Sequence, residues 1–438
     1  MNLPFDDDCC GWFRALPDVL EPVELTQQLD ADVVVIGAGF TGLSAARQMA
    51  HNRPQDSVVL IDAQQVGYGA SGRNSGFAID LPHKFALENP DQEFKKRILR
   101  LNKEGIRILN DQVTEHNIDC QWRAAGKYQA AVGERGRRYL EQFSRLLDDL
   151  DEPYDWYSRQ DLGPILGTEF YSQAIFTPGG YLMQPAALTQ GLARALPANV
   201  QLYTNSPVLF LEPLATGGHR LQTPRGSLRA GQVILATSIY TREFGFLKNR
   251  LLPITTFASL TRPLTPEEQA RYHGQYDWGV TPADHAGTTL RMTRDKRLMV
   301  RNTYRYSALY GRSVSARERN KIAAIHRQSL AARYPQFSRL PFEYTWGGTY
   351  AIARNFTNYF GMLAPGVFAA ACDNGVGVVW GTIAGSLIAD LASNRSSSLL
   401  EDIQAVTGLP SLNPPEPFSS WGAKARIVLA RMASRSEL

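Results

Sequence analysis

Residues 31–76 read ADVVVIGAGFTGLSAARQMAHNRPQDSVVLIDAQQVGYGASGRNSG, and the fold turns on this stretch. Asp32 to Ile36 is a β-branched apolar run with no polar face, the pattern of a parallel strand covered on both sides. Gly37-Ala38-Gly39-Phe40-Thr41-Gly42 follows at once as G-x-G-x-x-G. Leu43, Ala46, Met49 and Ala50 then mark one helix face, and the apolar run Val58–Ile61 ends at Asp62, twenty residues past Gly42. Each part has a physical purpose. Gly37 permits the tight turn, Gly39 removes the Cβ that would hold the backbone off a pyrophosphate, and Gly42 lets helix and strand pack closely. The free N–H groups and positive dipole end of the helix favour phosphate, and Asp62 is placed to accept hydrogen bonds from a ribose. With strand, turn, helix, second strand and terminal acid in order, the stretch predicts dinucleotide binding.

The second half decides which dinucleotide. Directly after Asp62 the chain enters Val66-Gly67-Tyr68-Gly69-Ala70-Ser71-Gly72-Arg73-Asn74-Ser75-Gly76, a loop of small residues able to lay N–H groups and hydroxyls along a flavin and its phosphates. Here the sequence resembles the D-amino-acid oxidase superfamily of FAD-dependent amine and amino-acid oxidases. The phrase GYGASGRNSG looks most like the branch containing gamma-glutamylputrescine oxidoreductase and bacterial L-pipecolate oxidases. The resemblance implies that Ala70, Ser71, Arg73, Asn74 and Ser75 contact the cofactor. It also implies an α/β fold, α+β overall, in which a Rossmann-like FAD-binding domain interleaves with an antiparallel-sheet substrate domain. An NAD(P)-dependent dehydrogenase and a flavoprotein without amine turnover are the competing readings; the early flavin-type loop argues against the first.

The 438 residues, 44% hydrophobic, suffice for two interleaved domains. A net charge of +4 with 20% charged residues does not suggest a nucleic-acid partner. Cys9, Cys10, Cys120 and Cys372 form no C-x-x-C pair, so no metal site is expected, and four thiols in so long a chain fit a reducing compartment. The first residues lack the basic and apolar regions of a secretory signal, and the apolar stretch Gly366–Leu391 is broken by Asp373, Asn374 and Asp390. The expected location is cytoplasmic.

The chain divides into an N-terminal arm (1–30), FAD-binding segments (31–85, 151–245 and 345–395), substrate-binding segments (86–150 and 246–344) and a tail (396–438). Cys120 to Val132 reads as one strand. Leu221–Thr223 with Ser227–Arg229 reads as a small hairpin, and Val233–Thr237 as a separate parallel-type strand. In the family, Val208 matches a position whose backbone bonds the adenine. Trp346-Gly347-Gly348-Thr349-Tyr350 crosses back to the cofactor domain, with Gly348 beside the flavin. Gly375-Val376-Gly377 precedes a long apolar helix, whose N-terminus aims N–H groups and dipole at what lies before it. In the family that object is the pyrimidine edge of the flavin. Members of that branch usually carry Gly-His-Gly at this turn, and the absence of the histidine weakens transfer of the gamma-glutamylputrescine assignment. The basic, amphipathic final helix is expected to pack on the body rather than touch a membrane.

The implied reaction is hydride transfer from the carbon beside an amine nitrogen of a small-molecule amine or amino acid, with O2 or another acceptor reoxidising the flavin. It requires orientation and a desolvated amine more than a side-chain acid or base. Arg291, on a strand where the family has a basic residue facing the flavin, is the candidate for holding a carboxylate or assisting oxygen reduction. Trp346 and Tyr350 are candidates for the wall over the ring. His83 and His285 read as surface or loop residues. No cysteine occupies Gly348–Tyr350, where some members attach the coenzyme, so the FAD is expected to be non-covalent; Cys372 lies near the flavin-facing turn.

Overall fold

The computed structural model describes residues 2–5, 8–82, 91–284, 286–308, 310–311 and 314–438. The apolar runs read above form the centre of an eight-stranded sheet. Gln28–Ile36 lies between Val58–Ile61 and Ser227–Leu235, parallel to both, and Val200–Tyr203 extends the parallel set beyond Val58–Ile61. Val33–Ile36 and Val58–Ile61 are buried on both faces, which is why these runs show no alternation. Ser227–Leu235 joins two roles that the sequence divided between a hairpin and a separate strand. Its first half pairs antiparallel with His219–Gln222, and Val233–Leu235 pair parallel with Val367–Ala369.

A second sheet of eight strands runs in the order Phe342–Ala353, Leu251–Thr261, Leu298–Tyr306, Thr289–Met292, Trp278–Pro282, Lys127–Ala131, Gln173–Thr177, Asp155–Ser158. All its pairings are antiparallel except Trp278–Pro282 with Lys127–Ala131. Two boundaries therefore move. Strands Asp155–Ser158 and Gln173–Thr177, assigned to the cofactor segment 151–245, belong to the second sheet, as does the crossing strand that was divided at residue 345. Cys120–Val132 is also not one strand. It splits into Arg123–Ala124, in a small third sheet, and Lys127–Ala131, because Gly126 turns the chain at φ +62°.

Helix Phe40–Asn52 packs against helix Val379–Ala392, bringing the start and end of the cofactor segments together. Close approach depends on Gly385, where a Cβ would lie 2.2 Å from Thr41 O. Ser44 Oγ donates to Thr382 O at 2.6 Å across the contact. Phe40, Leu43, Met49, Ile383 and Leu387 fill the core between these helices and the sheet.

Candidate functional site

Where the two sheets and the two helices meet, a cleft opens that encloses about 1650 Å3 with its mouth included. Gly37, Gly39, Thr41, Asp62, Ala70, Ser71, Arg73, Val208 and Gly377 all line it. Phe40, Gly42, Asn74, Ser75, Gly348, Gly375 and Val376 do not reach its wall and stand behind or beside these residues.

The glycine turn brings a helix N-terminus close to the flavin-type loop. Helix Phe40–Asn52 has Gly39 as its N-cap with no side-chain cap, and Phe40 N–H donates to Ser71 Oγ at 3.0 Å. A Cβ on Gly39 would fall 2.6 Å from that same Ser71 Oγ, within the space between turn and loop. Gly42 is closer still to its neighbour, since a Cβ there would lie 1.7 Å from Gly37 O. Asp62 Oδ2 accepts from Ala38 N at 2.6 Å and Oδ1 from Gln64 N at 2.8 Å. Burial outweighs these two bonds and raises the carboxyl pKa to about 6.

The flavin-type loop is fixed by its own side chains and by the crossing strand. Asn74 Oδ1 accepts from Gly76 N at 2.8 Å, and Asn74 O accepts from Trp12 Nε1 at 2.8 Å. Arg73 Nε donates to Tyr68 O at 2.8 Å and Nη1 to Gly347 O at 3.1 Å. Trp346 Nε1 donates to Arg73 O at 3.1 Å. Trp346 is fully buried against Trp12, with ring centroids 6.0 Å apart, and is absent from the cleft wall. Its position in the core explains why its side chain is spent on holding Arg73. Gly348 faces the same arginine, a Cβ there lying 3.2 Å from Arg73 Cβ.

Arg291 is also fully buried and also absent from the cleft wall. Its Nη1 donates to Gly76 O at 3.2 Å and to Met183 O, while Nε and Nη2 have no partner among the described residues. Burial lowers its pKa to about 10. Tyr350 lies against Gly375, whose added Cβ would be 3.0 Å from the ring, and burial raises its phenol pKa. His83 and His285 lie outside the described residues.

The late turn, Cys372-Asp373-Asn374-Gly375, places two non-glycine residues in left-handed backbone. Cys372 and Asn374 hold φ +66° and +52°, and the Asn374 side chain keeps them there. Its Oδ1 accepts from Ala353 N at 2.9 Å and its Nδ2 donates to Phe356 O at 2.9 Å, tying the turn to the crossing strand. Asp373, which the sequence reading passed over, lines the cleft with its Oδ1 accepting from Gly375 N at 3.1 Å. Burial raises its pKa. The Asp-Asn-Gly triplet, with its tolerance of left-handed backbone, was the available signal.

A polar wall on the second sheet was also missed. Thr255, Ser307 and Thr349 meet on the second sheet, with Thr255 Oγ1 2.6 Å from Ser307 Oγ and 2.7 Å from Thr349 Oγ1, and all three line the cleft beside Arg305. Three hydroxyls from three distant segments leave no local pattern.

The geometry defines a dinucleotide-dependent oxidoreductase fold, with one cofactor cleft between a parallel sheet and an antiparallel one. The sequence matches the family described as DAO, FAD dependent oxidoreductase, over residues 32–391. The chain belongs to this family, and its dinucleotide is FAD; the nicotinamide alternative falls away. It is 27% identical to "Probable oxidoreductase OrdL" of Haemophilus influenzae over 411 residues, covering 87% of each chain. To the gamma-glutamylputrescine oxidoreductase of Escherichia coli it is 25% identical over 419 residues, covering 91% of this chain and 92% of the other. The fold is that of a glycine oxidase from Geobacillus kaustophilus (TM-score 0.71, 19% identity, covering 84% of this chain and 96% of that one). An L-amino acid deaminase from Proteus myxofaciens is similar, with TM-score 0.70 and 18% identity, covering 88% of this chain and 94% of that one.

Proposed function

We propose that the protein oxidises the C–N bond of a small amine or amino acid to an imine, with non-covalent FAD lying between the glycine turn and the N-terminus of helix Val379–Ala392. The observation that carries this reading is that both segments, far apart in sequence, line one cleft. Bound FAD supplies the hydride acceptor. Thr41 and the uncapped helix N-terminus receive the pyrophosphate, Asp62 the ribose, and the backbone at Val208 the adenine. Ala70, Ser71 and Gly377, which line the cleft, would hold the ring, while Asn74 and Arg73 keep the loop in register. Arg291 braces that loop from below, and its two unpartnered donors point to a further acceptor supplied by ligand or water. Thr255, Ser307, Thr349 and Arg305 form the polar wall available to a substrate. Related proteins named for amino acids, imino acids and a polyamine conjugate support the amine or amino-acid class. O2 or another acceptor completes the cycle. The test is anaerobic mixing of the yellow holoprotein with a panel of amines and amino acids, followed by air. Bleaching of the flavin band by at least one member supports the reading, and recovery in air identifies O2 as acceptor. A spectrum unmoved by every primary, secondary and cyclic amine contradicts it.

A further inference from the structure

The final helix, Phe418–Ala433, is amphipathic in the wrong sense for a helix that only packs on its own protein. It lies against strand Leu298–Tyr306 through small or half-buried positions, Ala423, Ile427 and Ala430. Its large apolar side chains face solvent: Phe418 is 60% exposed, Trp421 62%, Val428 54%, Leu429 65% and Met432 69%. At 3.6 residues per turn these five fall within about a third of the circumference. The helix rests on the body through one face and leaves the opposite, apolar face in solvent.

The exposure does not come from a loose end. Before the helix, Tyr306 OH donates to Glu416 Oε1 at 2.8 Å. After it, Ser434 Oγ donates to Asp284 Oδ1 at 2.6 Å, and Arg333 Nη2 donates to Glu437 O at 2.8 Å. The fold fixes the helix at both ends and presents its apolar side outward.

We propose that this helix is a peripheral docking surface for an anionic lipid bilayer. Charge complementarity selects that occupant. Exposed Lys424 and half-buried Arg431 flank the apolar stripe on one side and Arg426, its guanidinium 5.5 Å over the Phe356 ring, on the other, and residues 418–436 contain no Asp or Glu. Long basic side chains at the edges of an apolar stripe reach anionic headgroups while Trp and Phe enter the acyl boundary. A second copy of the chain fits less well, because a two-fold contact through this stripe would bring the same basic flanks together. Among the described residues no helix is long and apolar enough to cross a membrane, so the contact is interfacial.

The experiment is co-sedimentation of the full-length holoprotein with vesicles of phosphatidylcholine alone or mixed with phosphatidylglycerol, with analytical ultracentrifugation in parallel. The expected result is binding to the anionic vesicles that is lost when Trp421, Leu429 and Met432 are all replaced by Ser. Lys424→Gln should weaken binding roughly fivefold on anionic vesicles and leave any binding to neutral ones unchanged. Flavin absorbance and thermal unfolding like those of the parent show that the variants are folded; both sets of positions are exposed. Absence of vesicle binding by the parent overturns the proposal. So does binding that survives the triple substitution, or a dimer that the triple substitution dissociates in a protein that ignores vesicles.

Discussion

Asp62 offers the sharpest quantitative handle on the cofactor site. Its carboxyl is held by two backbone N–H donors, yet burial raises its pKa from 3.8 to about 6, a difference of roughly 3 kcal/mol in favour of the protonated form. The sign follows directly. An acid whose folded pKa is raised contributes least when ionised, so in the FAD-free protein this contribution to stability declines as pH rises from about 4 through about 6. A ribose hydroxyl donates to the carboxylate, so FAD binding selects the ionised form. Affinity should then fall as pH drops below about 6, by up to about tenfold per pH unit. Asp62→Asn keeps the shape and one acceptor while removing the charge. Loss of one charged hydrogen bond, about 1.5–3 kcal/mol, predicts roughly 10- to 150-fold weaker FAD binding at neutral pH and no acid-side slope. In FAD-free protein Asp62→Asn relieves the burial of an ionised group but turns its NH2 toward the Ala38 or the Gln64 N–H, which loses its acceptor at a cost of about 1–3 kcal/mol, so the two effects oppose each other and stability at pH 7 should change little. The assay is titration of FAD-free protein with FAD, followed by flavin fluorescence, across the acid range. A variant with the parent affinity and the parent pH slope would refute the assignment of Asp62 to the ribose.

Asn374→Ala leaves the Ala353 N–H without its acceptor and places Ala at φ +52°, so chemical denaturation should show a loss of about 2–4 kcal/mol. Asn374→Gly should lose less, since Gly accepts that backbone freely. His326, buried between Ser259 and Thr303, has its pKa lowered to about 3 by burial; its neutral form is the folded one, so stability should fall as pH drops below 6.5. His326→Gln should flatten that acid-side decline in urea titrations at successive pH values. Arg291→Met should raise KM or slow flavin reoxidation sharply, and steady-state and half-reaction kinetics that do not change would remove Arg291 from any role near the ring.

The cofactor half of the fold was legible because its signals are local. Parallel strands buried on both faces, a glycine turn and an acid at a fixed distance all fall within residues 31–62. Val367–Ala371 and the helix after it were legible for the same reason, being continuously apolar. What escaped depends on distant partners. Strands Asp155–Ser158 and Gln173–Thr177 carry no mark saying which of two sheets they will join. The hydroxyls of Thr255, Ser307 and Thr349 converge only through strand register. Arg291, Trp346 and Tyr350 could be named as aromatic or basic residues on the right strands, but which way each side chain turns is a property of packing. Trp346 turns into the core against Trp12, and Arg291 turns beneath the loop toward Gly76 and Met183. Which side of the last helix meets the body was not legible, because its amphipathic pattern looks the same whether the apolar side faces protein or solvent.

The most direct measurement is the stoichiometry of FAD on the purified protein, read from its visible spectrum before and after adding FAD and again after acid precipitation. The account predicts one FAD per chain, released into the supernatant by acid. Colourless protein that takes up no FAD would contradict it.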